Sequence, residues 1–287
     1  MLASAVACAS TPRRSSTPAG PSSAPPIINE LKAFELSLGM QATQNFVRSA
    51  EGAAAINRCY FTGIFELPDS YRGLHLVEED QARCLARGDS SDVFFYPIEA
   101  VATGSAPVTP ALTHATPERM LVVVAHEDFH NQPEAQRAPP ERAEAAATLA
   151  GFVAASAFAD QKFGAGSTPS QGLRREAQLY LQKSTIVNDY YDKLRDLYAS
   201  VQARTISPDD ALVRKKEFFD ELRSACSAVA LDPVSFNKCP AALNNAGLAF
   251  DRTYTKDYPT MYASVDGANA EARSAVINLK RLLTGSK

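Results

Sequence analysis

Apolar positions follow a helical period over most of the chain and a strand-like pattern in one stretch of it. Residues 28 to 50 carry Leu31, Phe34 and Leu38, then Phe46 and Val47 beyond Gly39, which predicts a helix. Between Ile56 and Pro97 the pattern changes to the short β-prone runs CYFTGIFEL, LHLV and DVFFYP, broken by Gly63, Pro68 and Gly73. These predict a small sheet. Thr116-Pro117-Glu118 supplies an N-cap, a proline at the first helical position and an acidic first turn for an apolar helix that Pro133 stops. Pro139-Pro140 opens the next helix, which ends at Gly164 and is apolar on nearly every face from Ala145 to Phe158, so it belongs in the core. Residues 171 to 203 place Ile186, Tyr190, Leu194, Leu197, Tyr198 and Val201 in one stripe. Packing core is the stronger reading of those tyrosines than a stacking surface for a ligand. Ser207-Pro208-Asp209-Asp210 then starts a second helix, so the region from about 171 to 228 reads as a helical hairpin. Helices near 240 to 252 and 267 to 284 complete a mainly α chain with a small β-sheet, an α+β fold.

Composition refines this picture. With 287 residues, 45% of them hydrophobic and 21% charged, the chain has enough apolar mass for a sizeable core. A formal charge of −3 gives no bulk positive field, so nucleic acid is not an expected partner. The longest unbroken apolar run, Met120 to Ala125, is far below the roughly 18 residues of a membrane-spanning helix. From Ala9 to Pro26 all residues but Arg13 and Arg14 are Ser, Thr, Pro, Ala or Gly. Residues 1–26 therefore read as a flexible tether, leaving 27–287 as one domain. The opening MLASAVAC is similar to the tail of a bacterial lipoprotein signal, although it lacks the basic n-region and its apolar segment is short. On that reading Cys8 is lipidated and anchors an exported protein at the membrane of the cell envelope; the alternative is a flexible tail with an incidental cysteine. The other four cysteines then suit local disulfides, Cys59 with Cys84 and Cys226 with Cys239, against the alternative of four buried thiols.

The chemistry-bearing motif is LVVVAHEDFHNQ, residues 121 to 132. His126 and His130 are i and i+4, so their imidazoles share one helix face at a separation that suits one Zn²⁺. Glu127 adjoins the first ligand, where a carboxylate can take a proton from a zinc-bound water. The chain has only four histidines. At that frequency HExxH arises by chance in roughly 0.3% of such chains. Zinc in a catalytic site needs a third protein ligand. Pro133 and Gln136 stand where a metzincin has Gly and His, which leaves Glu141 or Glu144 of the following helix. Glu144 is the choice, because it opens the all-apolar EAAATLAGF stretch, where a buried carboxylate needs a strong electrostatic partner. The alternative is a pair of helix histidines bonded to ordinary acceptors, with Glu127 a surface acid. His75 and His114 are isolated and read as ordinary surface or core residues.

VVVAHEDFHNQ followed by AEAAATLAGFVAASAF resembles a bacterial family of zinc-dependent aminopeptidases of gluzincin type. Their pattern is an HExxH helix, an NEsfAT-like helix and a later asparagine pair. Here the second element is Ala143 to Thr148 and the third is Leu243-Asn244-Asn245-Ala246 with Thr253-Tyr254. Tyr71-Arg72-Gly73 and FFYPIEAV are similar to the segments before the metal helix. Asp128 and Phe129 replace the usual Leu-Ala, a departure that bears on substrate preference. Ala143 replaces the Asn before the third ligand and so removes an amide that would support it.

The resemblance implies a zincin-like core and metal-assisted hydrolysis of a peptide substrate, with Glu127 as general base and proton donor to the leaving amine. Tyr254 is the candidate for stabilising the oxyanion, with a core or capping tyrosine as the alternative. Asn244 and Asn245 are read as turn caps more readily than as substrate or ligand contacts. The word aminopeptidase rests on the resemblance alone, and endopeptidase or amidase action suits the same metal site. A non-catalytic alternative is an envelope lipoprotein whose zinc is structural and whose hairpin binds a partner.

Overall fold

Fourteen consecutive residues, Ala143 to Ser156, are buried in the helix that opens at Pro140, the consequence of an apolar sequence with no polar face. The computed structural model describes residues 24–50, 56–98, 100, 104–229, 238–265 and 271–285. Cys8 and nearly all of the expected tether lie outside them. In chain order the described elements are α1 (Pro26–Ser37), β1 (Ile56–Thr62), β2 (His75–Val77), α2 (Gln81–Leu85), β3 (Asp92–Ile98), α3 (Pro110–Thr113) and α4 (Pro117–His130). They continue with α5 (Pro133–Arg137), α6 (Pro140–Phe163), α7 (Thr168–Gln202), α8 (Pro208–Ser227), α9 (Asn245–Thr255), α10 (Tyr258–Ser264) and α11 (Ala272–Leu283). The fold is mainly helical with one small antiparallel sheet, as the sequence patterns predict.

Helix α6 is the axis of the core: α1, α4, α7, α9, α10 and α11 all pack on it. The closest approach is to α4, at Gly151. A Cβ there would lie 2.9 Å from the Val122 carbonyl oxygen and 3.4 Å from the Cβ of His126, so only a residue without a side chain lets the two helices meet at this distance. Helices α7 and α8 are joined by a short turn in which Ser207 Oγ accepts from the Asp210 amide. They share a second apolar cluster that includes Tyr191, Leu194, Leu197 and Phe219. Lys183 and Asp251, both buried, form an ion pair of 2.7 Å that ties α7 to α9.

The sheet has the order β2-β1-β3, with Tyr60 opposite both Leu76 and Phe94, and Arg58 opposite Tyr96. Alternation along β1 puts Arg58 and Tyr60 on one face, and Leu76, Tyr96 and Ile98 line the same cleft. Cys59, pointing the other way, is disulfide-bonded to Cys84 of α2. Cys226 of α8 is bonded to Cys239 ahead of α9. Both pairings are the local ones that the spacing suggests.

Two local expectations are corrected. The helix predicted over 28 to 50 ends at Ser37, because Gly39 takes φ of +86° and closes the last turn. The chain beyond it turns at Phe46, which takes φ of +59° and donates from its amide to Ala106 O at 2.6 Å, before Ser49 bridges Val108. Phe46 is fully buried there and Val47 exposed. The strand expected through CYFTGIFEL stops at Thr62, where Glu66 folds back to accept from the Gly63 amide at 3.1 Å. Asn245 then holds the turn, donating to the carbonyls of Ile64 and Glu66 at 2.9 and 3.0 Å.

Candidate metal centre

Helix α4 begins where Thr116 Oγ1 accepts from the Arg119 amide at 3.2 Å, with Pro117 in the first turn. That start sets the phase of the helix. Arg119, Val123, His126, Glu127 and His130 all face one cleft of about 510 Å³ between the helices and the sheet. Pro139 and Pro140 start α6 so that Glu144, one turn in, enters the same cleft from the opposite side. The three expected metal ligands meet there. His130 Nε2 is 3.1 Å from His126 Nε2 and 2.9 Å from Glu144 Oε2, and His126 Nε2 is 3.3 Å from that oxygen.

This triangle fits zinc. Bonds of about 2.0–2.1 Å in a tetrahedron put ligand atoms about 3.3–3.4 Å apart. The observed edges of 2.9 to 3.3 Å need only a slight opening. His126, His130 and Glu144 would hold such an ion with three protein donors, and Glu127 lines the same cleft. Cys59, Cys84 and Glu79 also come together, but the two sulfurs are consumed in a disulfide.

The electrostatics are those of a buried, charged cluster. Burial alone pushes the His130 imidazole down, but the Glu144 carboxylate in contact with it, with Glu127 behind, reverses this and raises it to about 9. Burial likewise opposes ionisation of Glu144, and the two imidazoles overcome it and hold that carboxyl well below its ordinary value. Tyr71 donates from its hydroxyl to the outer oxygen, Glu144 Oε1, at 3.0 Å. Burial, and then the nearby carboxylate, raise the Tyr71 pKa far above its ordinary value, so the hydroxyl remains a donor. His126 Nδ1 is buried and has no hydrogen-bond partner among the described residues.

Tyr254 stands in the cleft wall with its ring 6.4 Å from that of His126 and 6.2 Å from that of Tyr71. Burial followed by the charge of Glu144 pushes its hydroxyl well up, so it too stays protonated. The asparagine pair stands outside the cleft lining. Asn244 caps α9, accepting from the Gly247 amide at 3.0 Å, and Asn245 is buried against the 63–66 turn. Asp128 also points away from the cleft. It is buried with Lys32, Thr43 and Asn45, the last donating to it at 3.1 Å, and so ties the segment after α1 to the back of the metal helix. Asp128 therefore bears on how α4 is held. His75 stacks on Phe61 and His114 ends α3, both remote from the ligands.

Tyr71 is the site residue that motif spacing does not identify. It lies 73 positions before Glu144 and reaches it only because its own amide donates to Thr253 Oγ1 of α9 at 2.8 Å, fixing the turn. The arginines of the cleft, Arg58, Arg72 and Arg119, are likewise silent in the motif. Of these only Arg119, seven residues before His126 on the same helix face, has a signal in the spacing. Comparison with known proteins gives no match: no family model, no curated protein and no solved structure aligns significantly with the chain. The functional reading consequently stands on the site itself.

Proposed function

We propose that this protein is a zinc-dependent peptidase with a zincin-like core, working in the bacterial cell envelope. The observation that carries the reading is the convergence of His126, His130 and Glu144 on one point of an open cleft, with Glu127 beside it. A structural zinc takes four protein ligands, whereas three and an open position are the catalytic pattern. Bound Zn²⁺ supplies a Lewis acid and lowers the pKa of water toward about 7.

The protein's own groups do the rest. Glu127 takes the proton of the attacking water and delivers it to the leaving amine. Tyr254, held protonated by burial, donates to the carbonyl oxygen as negative charge gathers there. Tyr71 holds Glu144 in the rotamer that points Oε2 at both imidazoles. Two disulfides support export to an oxidising compartment. Lipid attachment at Cys8 belongs to the same proposal and is read from the mass of the Cys8 peptide in membrane fractions; an unmodified Cys8 there refutes it.

The test compares wild type with Glu127→Gln on a diverse peptide mixture, with cleavage read by mass spectrometry and zinc content by elemental analysis. Both should carry one zinc and only the wild type should cut. Release of single N-terminal residues would support the aminopeptidase activity implied by the resemblance, and internal cuts would replace it with endopeptidase action. Bound zinc without any hydrolysis by the wild type overturns the enzyme reading.

A further inference from the structure

Three guanidinium groups face the same cleft as the metal ligands, from three separate elements. Arg58 projects from β1, Arg72 from the turn that carries Tyr71, and Arg119 from the first turn of α4. Arg58 is three-quarters buried, and among the described residues its ion pair is with Glu78 at 3.2 Å, a side chain that is 64% exposed. Its Nε is buried without a hydrogen-bond partner. A guanidinium is planar with five donors and no acceptor, so an unfilled buried N–H on a cleft wall calls for an acceptor from outside the protein. Arg72 is exposed beside the Tyr71 hydroxyl.

The cleft carboxylates are already engaged. Glu144 is held by the two imidazoles and Tyr71. Asp251 is paired with Lys183 at 2.7 Å and accepts from the Ala241 amide at 2.6 Å. Glu127 is required as the base. Among the described residues lining the cleft, no further carboxylate is present to pin a free α-ammonium. The buried Nε of Arg58 is the donor on this wall that an incoming anion can fill.

Resting on the peptidase reading above, we propose that the enzyme selects peptides by a carboxylate near the scissile bond, bound by Arg58 and Arg72. The shared chemistry is a carboxylate; it is supplied either by the C-terminus of a short peptide or by an Asp or Glu side chain.

The test starts from a neutral peptide, acetylated and amidated, taken from those the wild type cleaves or, if it cleaves none, from the same mixture. One charge is added at a time: a free C-terminus, a Glu for a Gln on either side of the cut, or a free N-terminal amine. Two readouts are taken, kcat/KM with wild type and Kd by fluorescence anisotropy with zinc-loaded Glu127→Gln. One charge-assisted bond should favour a carboxylate peptide over its neutral parent by about 10- to 100-fold. Which carboxylate gains distinguishes the C-terminal from the side-chain source. Arg58→Gln and Arg72→Gln should shrink that ratio, mainly through KM. Equal affinity for charged and neutral peptides, or a preference for the free amine, overturns the proposal while leaving the peptidase reading intact. Carboxylate-selective binding without any cleavage by the wild type upholds the recognition site and overturns the peptidase reading instead.

Discussion

Adding one methyl group at Gly151 should separate the stability of this fold from the integrity of its metal centre. In a helix, Gly→Ala ordinarily stabilises by about 1 kcal/mol through backbone entropy. At Gly151 the new Cβ would lie 2.9 Å from the Val122 carbonyl oxygen and 3.0 Å from Val122 Cγ1. Carbon contacts settle at about 3.5 Å or more, so α4 has to withdraw by about half an ångström. Overpacking of this kind costs about 1–3 kcal/mol, which leaves a net loss of about 0–2 kcal/mol. The metal site should suffer more. Val122 is one helical turn before His126, so the displacement opens the 3.3 Å edge between His126 and Glu144 on a site that tolerates about 0.2 Å. We expect zinc affinity to fall by about 10- to 100-fold, the scale of other changes around metal ligands. Gly172→Ala is the control, since a Cβ there meets nothing within 4 Å on α7, and it should stabilise by about 0.5–1 kcal/mol. Urea denaturation and competitive zinc titration read the two quantities. If Gly151→Ala is as stabilising as the control and binds zinc like wild type, the close approach of α4 and α6 is not what sets the ligand triangle.

Two further outcomes follow from hydrogen bonds near the site. Tyr71→Phe keeps the ring packing and removes the donor to Glu144 Oε1, so zinc affinity should drop about 10- to 100-fold in competitive titration; an unchanged Kd would remove Tyr71 from the support of the site. Glu35 is buried against Asp128, and burial, then the Asp128 charge, raise its carboxyl well above the ordinary value. The folded state thus holds a proton that the unfolded chain releases, so the site loses stability as pH rises through that window and the loss is complete above it. Glu35→Gln should match wild type near pH 4 and exceed it progressively toward neutrality in urea midpoint. Parallel profiles for the two proteins would show that Glu35 does not titrate in this way.

What was legible in the sequence is what depends on short separations. Caps at Thr116 and Ser207 and the proline starts of α4 and α6 set helix phase within one turn. Given that phase, 3.6 residues per turn alone brings His126 and His130, four apart, onto one face. Glu144 was legible because a carboxylate inside an apolar run must be compensated. The disulfides followed from spans of 25 and 13 residues, short enough to be closed locally.

Tertiary structure decided the rest, because it depends on which surfaces meet. Phe46 and Val47 fit a helical stripe as well as Leu31 does, and only the bonds of their segment to Ala106 and Val108, with Phe46 at φ of +59°, show a turn there instead. Asp128 is within the motif, yet its direction follows from Lys32, Thr43 and Asn45, more than 80 positions away. Tyr71 and Arg58 reach the metal cluster through a turn anchored on α9 and a sheet face turned toward α4. The candidate ligands are the sequence's contribution; the hydrogen bond that orients one of them, and the arginines that share their cleft, come together only once the sheet is packed against the helices.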